Sequence, residues 1–470
     1  MELIRSNGVL TSTEPMKVAR SFAQDQFTTP KGRKGIWWVR GSWWVWEGGV
    51  WKVRGEEPVV SQLWTWLEDR SYEVANGFVR LGPDRKMVQD VYEALKAACY
   101  MSWIKFPVWV GREGPDPETC IAFRDKVVSV GGGKVEVVDR DEDWMDLVVL
   151  PVDWDPAARA ERWEKAVEEW SEGDPKWGEL LRRWMGYLLM AKRSYAKWLL
   201  MQGKSRGGKG VIAHVERKLI GQTAWVDVSQ ADLAGDFGLD GLEWARAINV
   251  PEVGKGGEEE KQASNRVMKS VIGEDPVTVN VKHQRQKRGV VIAAAIQMQA
   301  NMIPRMPNES EGISSKMLVL PFTRTFKDKP QHDLKQVLDG ELAGIAAWAV
   351  EGARRLEEEG GREWPEPEAA EDVRFRFRVA NNPLDGFLES RCLQVPGGFV
   401  DGELLWREWE DFRKRNQIKL VIPRNQFALR LEEESTWQVK RGRRRVAGQN
   451  LRGVFGLGLR QRDSGESDSL

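Results

Sequence analysis

Cysteine and histidine are scarce in this chain, three of each in 470 residues. Cys99, Cys120 and Cys392 lie far apart and form no CxxC pair, which argues against a zinc site and suits a reducing compartment. No apolar run approaches the roughly 18 residues that a membrane-spanning helix needs. The start, Met1-Glu-Leu-Ile-Arg, lacks the form of a signal peptide. A cytoplasmic protein with no membrane partner is expected. A charge excess is missing too: 71 basic residues balance 71 acidic ones, so any nucleic-acid surface must be local rather than global.

What is present suits a soluble globular protein, with 41% hydrophobic and 30% charged residues. The length exceeds one ordinary core, and roughly two to four domains are expected. The most informative stretch runs from Met201 to Ile212, Met-Gln-Gly-Lys-Ser-Arg-Gly-Gly-Lys-Gly-Val-Ile. It follows the apolar run Trp198-Leu199-Leu200 and precedes a segment able to be helical. A strand, a G-x-x-x-x-G-K loop from Gly203 to Lys209 and a helix make a phosphate cradle. Backbone N–H groups of Lys204, Ser205, Arg206, Gly207, Gly208, Gly210 and Val211 would face the anion, and Lys209 would add a point charge on the terminal phosphates. A plain glycine turn between strand and helix is the alternative. The usual loop follows its Lys with Ser or Thr, whose hydroxyl reaches Mg²⁺; here Gly210 follows.

The chain divides by composition. Residues 1–110 are rich in Trp, and Gly35 to Val53 reads as short strands broken by Gly-Ser and Gly-Gly turns. These tryptophans could stack on bases or simply form the core and faces of a small sheet. Residues 111–197 combine strand-like pieces with helical patterns at Pro156 to Ser171 and Lys176 to Ala191, a collar ahead of the loop. Residues 198–360 alternate strand and helix signals, as an α/β core should, and Leu338 to Glu359 is a strong helical pattern. Residues 361–382 read as a linker. In 383–460, helical patterns at Phe399 to Asn416 and Pro423 to Glu433 precede a hairpin with a basic tip, which suggests a winged helix. Residues 461–470 read as a disordered tail.

In order, these landmarks resemble the superfamily 3 helicases of the phage/plasmid/poxvirus primase-helicase family. Besides the loop, the matching phrases include Trp103-Ile-Lys-Phe-Pro-Val-Trp, Leu181-Arg-Arg-Trp-Met-Gly-Tyr-Leu, Leu233-Ala-Gly-Asp-Phe-Gly-Leu, Ile272-Gly-Glu-Asp-Pro-Val-Thr-Val-Asn-Val-Lys-His and Gln299-Ala-Asn-Met-Ile-Pro. The resemblance implies an α/β fold: an AAA+-like P-loop ATPase core with an α+β N-terminal region and a C-terminal winged helix. It further implies ATP and Mg²⁺ as cofactors and a homo-hexameric ring. Single-stranded and forked DNA would be partners, with a separate primase or polymerase alongside and movement 3′ to 5′. For a phage- or plasmid-encoded chain the location would be the bacterial host cytoplasm.

An ATPase of this kind needs an acid at the end of a buried strand, and Ala245-Arg-Ala-Ile-Asn-Val-Pro-Glu-Val offers Glu252, for catalysis and for the metal. Asn249 and Pro251 depart from the acids common there. By resemblance Asn301 senses the γ-phosphate. Lys316 stands where relatives carry an Arg that reaches a neighbouring subunit's site, and Lys lacks the bidentate guanidinium; Arg324, or less strongly Arg305, is the substitute. Lys282, His283, Arg285, Lys287 and Arg288 fall where the family has a DNA-contacting hairpin, and taken alone read as a solvated loop. Lys440, Arg441, Arg443, Arg444 and Arg445 would line the wing. The leading expectation is an ATP-dependent DNA helicase. A non-catalytic DNA-binding initiator that keeps the ring fold is the second, favoured by Gly210 and Lys316. A nucleotide kinase or unrelated loop ATPase is the third.

Overall fold

The computed structural model describes residues 8–460 except 75–76, 103–104, 252, 254–256, 283–284, 307–310, 328–332 and 447–448. It is a mixed α/β fold built around a five-stranded parallel sheet. The strands are β1 (Trp198–Gly203), β2 (Trp225–Asp227), β3 (Ala247–Val250), β4 (Ala295–Ala300) and β5 (Met317–Phe322), in the order β2-β3-β4-β1-β5. A parallel sheet is covered on both faces, so its strands read as apolar runs. Four helices matter here: α1 (Pro175–Leu189), α2 (Lys209–Ile220), α3 (Glu258–Gly273) and α4 (Leu342–Glu358).

Side chains alternate between two cores. Leu199, Met201, Ala247, Ala295, Leu318 and Leu320 pack with α1, α2 and α4. Trp198, Leu200, Ile248, Val250, Ile296 and Met298 pack on the other face with Met268 and Val271 of α3 and Phe377 of the helix Ala370–Asn381. By the same alternation the amides Asn249, Gln297 and Gln299 fall on the α2 face, where they interrupt an apolar layer.

In the Trp-rich region, strands Ile36–Val39, Ser42–Glu47 and Val50–Arg54 form an antiparallel sheet. Its two-residue turns are Arg40-Gly41 and Gly48-Gly49, all at positive φ, one residue earlier than the first expected turn. Trp43 and Trp44 are buried outright and Trp51 nearly so. Trp44 stacks on Phe106 with centroids 4.2 Å apart. These side chains are core, which leaves no open platform of the kind base stacking needs at those three positions.

Boundaries differ from expectation where proline or glycine redirects the chain. The helix expected from Pro156 starts at Glu161, and the one expected from Phe399 starts at Gly402, because residues 392–401 are a strand. The long helical pattern at Leu338 is two helices, Leu334–Asp339 and α4, parted at Gly340. The apolar run from Val290 is not one strand: Lys287–Val290 pairs back on Val277–Val279, and β4 begins at Ala295. The stretch read as a linker packs Trp364 against the α1 core, and Arg183 of α1 donates to the Glu363 carbonyl. At the C-terminus, Cys392–Asp401, Gln449–Leu459 and Lys440–Val446 form a three-stranded sheet in that spatial order, beside helices Pro383–Arg391, Gly402–Arg415 and Arg424–Glu434. No described helix is long and apolar enough to cross a membrane.

Candidate functional site

The glycine-rich loop joins the central strand β1 to α2, with α2 starting at Lys209. In open parallel sheets, ligands sit at the carboxyl ends of strands where successive connections diverge, and β1, flanked by β4 and β5, is such a place. Two glycines permit close approach. A Cβ on Gly203 would stand 2.0 Å from the Phe322 carbonyl oxygen of β5, and Gly203 has φ +149. One on Gly208, at φ +118, would stand 2.5 Å from Trp170 Nε1. The α2 N-terminus has no side-chain cap and no acid in its first turn, so its amide dipoles stay directed outward.

A cavity of about 440 Å³ opens here. Loop residues 205–211 form one wall; Pro251 after β3 and Gln299 and Asn301 at the end of β4 form another. Glu169 and Trp170, from the helix Glu161–Ser171, close it together with Phe326 and Leu334. Lys209 is mostly buried and donates to the carbonyls of Gly203 at 2.6 Å and Lys204 at 2.9 Å. Burial lowers its pKa to about 8, since the charged ammonium loses hydration. Around Gly210 an added Cβ would meet nothing within 4 Å, so the position is spatially open to a side chain.

Beneath the loop lies a buried polar cluster. Trp184 Nε1 of α1 donates to Gln297 Oε1 at 2.9 Å. Gln297 Nε2 donates to Glu216 Oε2 of α2 at 2.8 Å and to Asn249 Oδ1 at 3.1 Å. Asn249 donates to Asp227 at 2.6 Å and accepts from Gln299 at 3.2 Å. Burial pushes the Glu216 carboxyl up to about 8, which keeps it neutral at pH 7.

The candidate residues therefore separate. Ser205, Arg206, Gly207, Gly208, Lys209, Gly210 and Val211 of the loop meet Asn301 at one cavity, whereas Gly203 and Lys204 do not line it. Glu252 and His283 lie outside the described residues. Asn249 does not face the cavity as a substituted acid would; it is 2% exposed and turned into the polar cluster. Arg324 lies beside this chain's own loop, because Thr325 donates to the Ser205 carbonyl and the Phe326 N–H to that of Arg206, both at 3.0 Å. Lys316 sits at the start of β5, the end of the sheet away from the loop, and Arg305 lines a separate basic cleft with Arg376 and Lys419.

Among the hairpin residues, Lys282, Arg285 and Arg288 are exposed, but Lys287 is held at 2.5 Å by Glu243, whose side chain is 3% exposed. That pairing corrects Lys287 as a free cation. Lys440 to Arg445 form an edge strand rather than a tip, and residues 447–448 of the turn are outside the described set. Arg441 is paired with Glu432 at 2.9 Å; Arg443, Arg444 and Arg445 are exposed. A cleft of about 830 Å³ separates this strand pair from Arg424 and Asn425 at the start of the helix Arg424–Glu434, residues that a search for charge runs passes over.

The oxygen donors described around the cavity supply no carboxylate-rich cage, and no described group of three or more His, Cys, Asp or Glu could hold a metal. Mg²⁺ usually keeps its waters and takes few protein ligands beside substrate phosphates. Among the cavity-lining residues, Glu169 is the described carboxylate and Gly210 brings no hydroxyl, so the described residues do not by themselves amount to a Mg²⁺ site. The three cysteines are buried thiols, with pKa values pushed up by burial to about 11 for Cys99 and about 12 for Cys120 and Cys392.

A family model described as "Family of unknown function (DUF5906)" matches residues 201–314, from within β1 to just before β5. None of the curated proteins compared matches the chain. Among solved structures, "The A form apo structure of NrS-1 C terminal region-CTR" is similar with a TM-score of 0.51 and 12% identity, over 90% of this chain and 96% of that one. A further apo structure of the NrS-1 C terminal region has a TM-score of 0.48 and 12% identity, over 95% and 100%. At this identity the first likeness speaks for a shared fold.

Proposed function

We propose that the chain is an ATP-dependent translocase on single-stranded DNA with a role in replication of a mobile element. The observation that carries this reading is the convergence, in one cavity, of residues 205–211 with Pro251, Gln299 and Asn301. Loop amides and the α2 dipole would take the phosphates, and Lys209 would exchange its two carbonyl bonds for the terminal phosphates. Asn301 would contact the γ-phosphate. Trp170, Val211, Phe326 and Leu334 give the cavity apolar lining suited to a base. ATP thus fits the residues present. Its chemistry is supplied by the triphosphate itself; the protein binds and positions it.

DNA would be held electrostatically by Lys282, Arg285 and Arg288 of the hairpin, without sequence readout. The C-terminal helices and sheet suit a winged helix, with Arg443 and the start of the helix Arg424–Glu434 facing the nucleic acid. A hexamer, Glu252 as the acid, Mg²⁺ and a partner primase or polymerase belong to this proposal.

Steady-state ATP hydrolysis with and without single-stranded DNA, alongside Lys209→Ala, tests it. DNA-stimulated turnover abolished by the substitution is expected. Turnover at the Lys209→Ala level with DNA binding retained would leave the second reading, a DNA-binding initiator, which the bare Gly210 favours.

A further inference from the structure

The three amides on the α2 face of the sheet are oriented from both ends. The indole N–H of Trp184 can only donate, and it meets Gln297 at 2.9 Å, so Gln297 turns its oxygen to Trp184 and its NH₂ group toward Asn249. At the other end the Asp227 carboxylate accepts from Asn249 at 2.6 Å, which places the Asn249 NH₂ group there and its oxygen toward β4. That oxygen has two lone pairs, taken by Gln297 at 3.1 Å and Gln299 at 3.2 Å. Only the NH₂ end of Gln299 can bond to it. Oε1 of Gln299 is thereby left for the cavity, whose wall Gln299 shares with Pro251 and Asn301.

We propose that Gln299 orients the attacking water in nucleotide hydrolysis, with Asn249 as a positioning residue that holds its amide from behind. This rests on the ATP-hydrolysing reading above. An amide oxygen fixed beside the terminal phosphate accepts a hydrogen bond from water and aims its lone pair at phosphorus, a task suited to glutamine because it needs no proton transfer. The water oxygen bonds to the γ-phosphorus, and the bond from that phosphorus to the β–γ bridging oxygen breaks with its electron pair, releasing ADP. One water proton stays on the new hydroxyl and the other moves to a phosphate oxygen, giving H₂PO₄⁻. Gln299 gains and loses none. The assignment also explains why a buried strand that should end in acids carries Asn249: an aspartate there would face Asp227 and offer that neighbour no donor.

The test compares the full chain with Gln299→Leu, Asn249→Leu and the double variant. It reads ATP turnover in the presence of single-stranded DNA and, separately, the affinity for a fluorescent ATP analogue. The expected result is a fall in kcat on the order of 10²-fold for Gln299→Leu, with affinity changed by less than about twofold. Asn249→Leu should lower kcat in the same sense, and the double variant should be no slower than Gln299→Leu alone. Should Asn249→Leu fail to fold, Gln299→Leu decides by itself. Unchanged turnover in Gln299→Leu overturns this proposal and leaves the ATPase reading intact. Nucleotide bound but not hydrolysed by the unsubstituted chain overturns it as well. Binding no tighter than in Lys209→Ala overturns both readings together.

Discussion

Sequence patterns mark both the loop cavity and the two basic hairpins, yet the fold treats them differently. At the loop, residues more than 90 positions apart, from Ser205 to Asn301, line one concavity, and the cation Lys209 is bonded only to carbonyl oxygens that a phosphate could replace. In the hairpins, part of the positive charge is already used: Lys287 by a buried Glu243, Arg441 by Glu432. A charge run states how many cations a segment has, whereas the fold decides how many remain for a ligand. Backbone geometry at a glycine loop leaves far less of that freedom, because Gly203 and Gly208 are each forced by a neighbour within van der Waals reach.

The largest effect that would sharpen this contrast is at Lys209. Lys209→Ala should weaken ATP binding and turnover by about 10²-fold or more. Because the free site holds this ammonium near a pKa of about 8 and a triphosphate favours the charged form, binding should take up a proton around pH 8 to 9. Affinity should fall as pH rises through that range. Calorimetric titrations in buffers of differing ionisation enthalpy would show the uptake, and buffer-independent heats would break the assignment.

Next in size is the pairing in the hairpin. Lys287→Ala removes the cation bonded to the buried Glu243 side chain, leaving Arg40 as its charge partner, and should cost about 1–3 kcal/mol of stability. Arg285→Ala should leave stability unchanged and reduce the salt dependence of DNA binding by about one unit of slope. The reverse pattern, from denaturant melts and salt titrations, would erase the distinction between used and available charge.

Glu216→Gln tests the polar cluster through pH. The folded-state pKa of Glu216 is raised from 4.5 to about 8, so between those values the native state binds more protons than the unfolded one. Stability from this group is therefore present at low pH and lost as pH rises through about 8. The variant should match the parent near pH 5 and melt higher near pH 8 or above, by about 2–4 °C per kcal/mol recovered. A gap that narrows with pH contradicts a neutral Glu216.

Smallest is Gly210→Ser. Open space around the Cβ and a helical position predict no loss of stability, and a gain of about 0.5 kcal/mol is expected from helix propensity. If the absent hydroxyl limits hydrolysis, turnover rises; an unchanged rate shows that another group or water already serves that purpose.

How much was legible in the sequence follows the same division. The strand, loop and helix around Gly203 to Lys209 could be read because local rules on glycine and apolar runs govern them. The polar cluster could not be read as a unit: Asn249, Gln297 and Gln299 are unremarkable singly, and only the register of β3 against β4 sets them together. Polar residues breaking two buried apolar strands were the available signal. Trp170 escaped notice because its contact with Gly208 crosses 38 residues of chain with no local pattern to mark it. The split at Val290 was missed because an unbroken apolar run does not reveal where pairing partners change, here from Val277 to the parallel sheet.

The central claim is that nucleotide occupies the loop cavity with Lys209 and Gln299 turned to its terminal phosphate. Determining the structure with a slowly hydrolysed ATP analogue tests it most directly. The account predicts the triphosphate over residues 205–210, Lys209 Nζ moved from the Gly203 and Lys204 carbonyls to phosphate oxygen, and Gln299 Oε1 within hydrogen-bond reach of a water beside the γ-phosphate. A nucleotide seated elsewhere, or Lys209 still bonded to both carbonyls with the analogue bound, would contradict it.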